Sequence, residues 1–161
     1  MAHPLFATLD NATLTYDDFS VGDRFVTAGR TVTEADIVNF AGLSGDYNQL
    51  HTDAVFAGQT MHGKRIAHGL LVLAIVSGLC TRLPMNRFME KAIVGLGGLQ
   101  AKWLRPVAIG DTIHVVVEVM GKEPSKKPGR GTVVFKRSAL NQNDETVLET
   151  EWRIVMSGRA V

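Results

Sequence analysis

Residues 68–83 read HGLLVLAIVSGLCTRL, and after the opening histidine only Ser77, Thr81 and Arg82 interrupt an apolar run. Pro84 ends it, because proline cannot continue a helix. A helix that is apolar on all sides belongs in a core. The run is too short for a bilayer, which needs roughly 20 apolar residues. The remainder of the chain is therefore expected to wrap this helix. At 161 residues and 45% hydrophobic content, residues 1–161 are expected to form one domain around one core.

The wrapper follows downstream. Residues 91–103, 112–122, 132–141 and 146–156 favour strands by their β-branched and aromatic content. Gly110-Asp111 and Asn143-Asp144 are turn signals between them, and residues 123–131, with two prolines and two glycines, suit a hairpin connection. Glycines at 95, 97 and 98 suggest a strand passing close to the central helix. Upstream, residues 24–32 read as a strand. Thr33-Glu34-Ala35-Asp36 forms a capping box, and Ile37, Phe40 and Ala41 recur at helical spacing over about three turns. Helices followed by a run of antiparallel strands make an α+β chain, with a curved antiparallel sheet as the natural cover for one long helix.

Charge and cysteine content exclude several classes. Seventeen lysines and arginines face sixteen acids, which argues against nucleic acid as a partner and leaves no polybasic pull to a membrane. Cys80 is the only cysteine, so neither an internal disulfide nor a cysteine-based zinc site is available. No basic segment precedes an apolar one near the start, and Arg24 is the first Lys or Arg. A soluble, cytoplasmic protein without a leader is expected.

Reactive groups concentrate in residues 40–51, FAGLSGDYNQLH. Asp46 and His51 are five apart, too far for one helix face, but a turn through Tyr47 and Asn48 could fold them together. They could share one water as an acid/base pair, or Asp46 could cap a turn while His51 packs on the sheet. At Ile66-Ala67-His68-Gly69 an irregular stretch enters the apolar helix. Backbone N–H groups at such a start are unpaired, and a glycine allows close approach, so Gly69 fits either an oxyanion site or simple packing.

Together GDYNQLH (45–51) and IAHG (66–69) resemble the hydratase 2 motif of MaoC-like enoyl-CoA hydratases. Phe19-Ser20-Val21-Gly22-Asp23 with residues 30–36 resembles the family's lead-in, and Trp103-Leu104-Arg105-Pro106-Val107 with Gly110-Asp111-Thr112 its strand and turn after the helix. The resemblance implies a hotdog fold, with residues 68–83 as the central helix. It implies reversible hydration of trans-2-enoyl-CoA to the (R)-3-hydroxyacyl thioester. Asp46 and His51 then hold the water, Asn48 orients the site, the Gly69 N–H receives the thioester oxygen, and Ser77 supports it from the helix. His68 is expected to orient the helix start.

The family usually has proline where this chain has Gln49, which loosens the loop and adds an amide. Arg105 is the better candidate for the phosphates of coenzyme A or of a carrier-protein arm, ahead of Lys122, Lys126, Lys127 and Arg130 on the hairpin. No metal or cofactor is expected, since a grouping of His51, Asp53, His62 and His68 matches no known ligand spacing and the thioester itself is the substrate. Rival readings are a hotdog thioesterase and a non-catalytic acyl-thioester-binding subunit. A homodimer, or an oligomer built from dimers, is expected.

Overall fold

A computed structural model of the chain describes residues 12–159. The reading of residues 1–11 as free of a leader concerns residues outside that range. Six strands form one antiparallel system: β1 (Arg24–Val26), β2 (Arg30–Thr31), β3 (Ile93–Trp103), β4 (Thr112–Pro124), β5 (Arg130–Leu140) and β6 (Thr146–Ser157). Their order is β1-β4-β5-β6-β3, with β2 also on β4. The hairpin after β4 is tighter than expected, because both strands run into residues 123–131.

The single strand expected over residues 24–32 is two short ones. Thr27 breaks it: its hydroxyl accepts the Val115 N–H at 2.9 Å, so a side chain replaces a rung of the ladder. Helix α1 (Glu34–Ser44) starts on the expected capping box. Thr33 N–H donates to Asp36 Oδ2 at 2.8 Å, and Asp36 N–H donates back to Thr33 Oγ1. Arg30 also pairs with the Asp36 carboxylate. Short helices α2 (Gln49–Thr52) and α3 (Ala54–Gly58) follow, then α4 (Gly69–Thr81) and α5 (Pro84–Met89).

Helix α4 lies on the inner face of the sheet and buries Leu71, Val72, Ile75, Val76, Leu79 and Cys80. Opposite them, Val115, Val117 and Val119 of β4, Phe135 of β5 and Leu148 and Ile154 of β6 are buried at every second position, as the period of a strand requires. Each such side chain contributes about 1.5–3 kcal/mol relative to exposure. The helix is shorter than residues 68–83 and is not covered all round. Leu70 is 61% exposed, and Ala74 and Gly78 follow it along an open stripe. The sheet covers one side only, which apolar composition cannot foretell. Pro84 does more than end α4: it opens α5 at the first helical position, where its missing N–H is not needed.

Of the three glycines of β3, Gly97 and Gly98 crowd β6 rather than the helix, and Gly95 faces open space. A Cβ at Gly97 would meet Val155 Cγ2 at 3.1 Å, and one at Gly98 would meet the Arg153 side chain at 3.3 Å. Among the described residues no single helix is long and apolar enough to cross a membrane.

Candidate active site

The segment between α1 and α2 is wound by its own polar groups. Gly45 ends α1 in the left-handed region (φ 75°), donating to Ala41 O at 2.8 Å. Ser44 Oγ donates to Phe40 O at 2.6 Å and accepts the Asp46 N–H at 3.2 Å. The Asn48 N–H reaches Asp46 Oδ1 at 3.2 Å, while Asn48 Oδ1 caps α2 by accepting the Leu50 N–H at 3.0 Å. This winding brings the Asp46 carboxylate and the His51 ring within 4.8 Å of each other, a gap one water can bridge. Asn48 is thus spent on the loop itself. Gln49 occupies the first position of α2, exposed and away from the cavity described below.

Hydrogen bonding fixes both imidazoles. His51 Nδ1 lies 2.8 Å from Ile66 O, and a carbonyl only accepts, so Nδ1 carries the proton and Nε2 is left as an acceptor. His68 Nε2 lies 3.0 Å from the backbone carbonyl of Asp46 and must donate, which leaves its Nδ1 buried without a partner among the described residues. The two rings face each other with centroids 3.9 Å apart, and Phe40 closes the other side of His68 at 5.0 Å. Asp46, His51 and His68 each present a ligand atom within 4.8 Å of the others, so these three, rather than a set with Asp53 or His62, are spaced to hold a cation. Asp53 instead caps α3, accepting the Val55 and Phe56 N–H groups at 2.9 Å.

Gly69 opens α4, and its N–H has no acceptor among the described residues. The space its missing side chain leaves is filled by Trp103: a Cβ would lie 2.9 Å from Trp103 Nε1. That indole N–H donates to Gly69 O at 2.9 Å, which fixes the glycine peptide from the carbonyl side. Ala67 N–H donates to Val107 O at 2.7 Å and ties the run into α4 to the loop after β3. Between these walls lies a cavity of about 340 Å³ lined by His51, Gly69, Val72, Trp103, Arg105 and Val107, among others.

Arg105 stands on the wall with its Nε 3.2 Å from Glu145 Oε1, both half-exposed. Ser77 is not on this wall; it lies about 12 Å along the α4 axis from Gly69. His62, weighed from the sequence only as a metal ligand, and Trp103, named there only within the strand motif, both line the cavity. For Trp103, the signal available was a large ring at a strand end in a chain whose helix starts with an unblocked glycine.

A family model for the MaoC like domain matches residues 18–139. An (R)-specific enoyl-CoA hydratase of Rhodospirillum rubrum is 33% identical over 149 residues, covering 89% of this chain and 92% of that one. Protein MaoC of Klebsiella aerogenes is 36% identical over 100 residues, 62% of this chain, and the match spans 29% of that longer protein. The crystal structure of a MaoC-like dehydratase from Rhodospirillum rubrum superposes with a TM-score of 0.82 at 32% identity, covering 92% of this chain and 99% of that one. The chain belongs to the MaoC-like domain family, and its antiparallel sheet wrapped on α4 is the hotdog fold.

Proposed function

We propose that the protein is an (R)-specific enoyl-thioester hydratase, adding water reversibly to trans-2-enoyl-CoA. The observation that carries this is that His51 and Gly69, with its free N–H, line one cavity, and the Asp46 carboxylate lies within 4.8 Å of the His51 ring. A water between the Asp46 carboxylate and His51 Nε2 meets two acceptors for its two protons. The thioester oxygen at the Gly69 N–H takes up charge as the water oxygen bonds to C3, because the C2=C3 electrons move into an enolate. The proton lost by the water passes to the pair and returns to C2. Both additions come from one side of the substrate, which suits a single stereochemical outcome. The half-exposed Arg105 at the wall suits the phosphates of coenzyme A or of a carrier-protein arm.

The same reading includes a second copy of the chain. β3 is one edge of the sheet among the described residues and shows Leu96 and Trp103 about half-exposed, the kind of edge that pairs with its like. The expected species is a homodimer, measurable as the mass in solution by light scattering.

The test follows the enoyl absorbance of crotonyl-CoA on adding the protein, with chiral separation of the product and a free-thiol assay on the same sample. Loss of absorbance, (R)-3-hydroxybutyryl-CoA and no free thiol are expected. Free thiol released from saturated acyl-CoA with no hydration would make the protein a thioesterase instead.

A further inference from the structure

Arg137 lies on β5 with its side chain on the face that carries α4, only 7% exposed. A guanidinium holds five N–H donors and keeps its charge. Here Nε has no acceptor, and among the described residues the group has neither a hydrogen bond nor a carboxylate partner. The ring of Trp152 lies against it, 4.1 Å from the guanidinium carbon to the centroid, and Cys80 of α4 is near enough to interact with it electrostatically. That ring is held in turn: Trp152 Nε1 donates to Thr150 Oγ1 at 2.8 Å, and Thr150 Oγ1 donates to Arg137 O at 3.1 Å. A buried cation without an anion is heavily unfavourable, so a rigid platform for one points to acceptors that arrive with a ligand.

The register of the sheet places this cation one cross-strand row from Trp103. Arg137, Thr150 and Ala101 form one cross-strand row, and the next row is Ala139, Leu148 and Trp103. Strand and row spacings put the Arg137 and Trp103 backbones about 12 Å apart, and an arginine side chain spans about half of that. Trp103 is the ring against Gly69, so the side of α4 bearing Gly69, Leu73 and Ser77 turns toward β3. Leu73, Ser77 and Ala101 are only half-buried there, and Leu99 is exposed.

We propose that Arg137 is a substrate-binding residue that receives a carboxylate at the far end of the acyl chain, making acid-ended 2-enoyl thioesters the preferred substrates. This rests on the hydratase reading above. A guanidinium grips a carboxylate through two parallel N–H bonds, which an alkyl terminus cannot accept.

The experiment compares crotonyl-CoA and 2-hexenoyl-CoA with glutaconyl-CoA and 2-hexenedioyl-CoA on the wild-type protein and on Arg137→Met and Arg137→Lys. The wild type is expected to favour acid-ended chains by about 10-fold or more in kcat/KM. Arg137→Met inverts that ratio, and Arg137→Lys keeps part of it. A purely structural arginine would move both substrate classes together and leave the ratio where it was. If Arg137→Met fails to fold, the wild-type preference and the lysine variant decide. Preference for neutral chains, no preference, or an unchanged ratio in a folded variant overturns the role of Arg137, for instance because a second copy supplies the acceptors. Failure to hydrate any of the four substrates overturns the hydratase reading itself.

Discussion

His68 is joined to Asp46 through the backbone, not the carboxylate: its buried Nε2–H donates to the Asp46 carbonyl at 3.0 Å. The same ring lies against His51, with centroids 3.9 Å apart. One side chain at the start of α4 thereby sets the height of the Asp46 loop and the floor under His51 without occupying the Asp46 carboxylate, whose Oδ1 accepts the Asn48 N–H at 3.2 Å.

Removing that link should loosen the pair without removing either member. His68→Ala is expected to lower kcat for crotonyl-CoA by about 100-fold, because misplacing reacting groups by about an ångström costs that much. KM should change little. His68→Gln keeps a side-chain N–H for the Asp46 carbonyl and should recover part of the loss. Steady-state kinetics beside a thermal melt separates this from unfolding.

Gly69 and Trp103 should behave as a coupled pair. A methyl at Gly69 meets the indole at 2.9 Å, so Gly69→Ala forces Trp103 out of place and disturbs the peptide whose N–H faces the thioester. A loss of about 10–100-fold in kcat/KM is expected, the scale of a weakened oxyanion donor. In Trp103→Phe the smaller ring leaves room, so the double variant should lose less than the sum of the singles in a double-mutant cycle. Additive losses would contradict the contact.

Much of this is legible in the sequence. The capping box at Thr33, the apolar run in α4 and the β-branched content of β4 are local patterns, and each marked its element. GDYNQLH and IAHG pointed to a candidate site through their resemblance to the family motif, and the fold brings Asp46, His51 and His68 within 4.8 Å and sets His51 and Gly69 on one cavity. What sequence could not supply depends on meetings across the fold. Trp103 reaches Gly69 from a distant strand. Gly97 and Gly98 yield to Val155 and Arg153 on β6, whereas the central helix had been the expected neighbour. The open stripe of α4 at Leu70, Ala74 and Gly78 exists because the sheet covers one side only.

Restoring proline at position 49 should stabilise the loop. Gln49 is the first residue of α2, its N–H has no acceptor among the described residues, and Asn48 before it is extended (ψ 133°). Proline suits that position and that predecessor. Gln49→Pro is expected to add about 0.4–1 kcal/mol, a rise of about 1–4 °C in Tm by calorimetry. A lower Tm would show that the Gln49 N–H has a partner in solution.

Asp18 should make part of the stability acid-sensitive. The Thr15 N–H, then the Arg159 guanidinium and the Thr15 hydroxyl, hold its carboxyl down to about 2 from 3.8. A carboxyl more acidic in the folded chain adds stability above its unfolded value and loses it as pH falls toward its folded value. For this partly exposed group the contribution is on the order of 1 kcal/mol. Asp18→Asn should therefore be less stable than wild type at pH 7 in urea titrations, and the gap should close between about pH 4 and about pH 2. A gap that stays constant would assign the loss to the Thr15 cap alone.

The central claim is that Asp46 and His51 act as one unit on one water. Its most direct measurement is kcat/KM for crotonyl-CoA hydration by Asp46→Asn, His51→Ala and the double variant, each confirmed folded. Each single change is expected to cost about 10²–10⁴-fold, and the double variant little more, because removing either member already disables the pair. A single variant that hydrates crotonyl-CoA at the wild-type rate would contradict it.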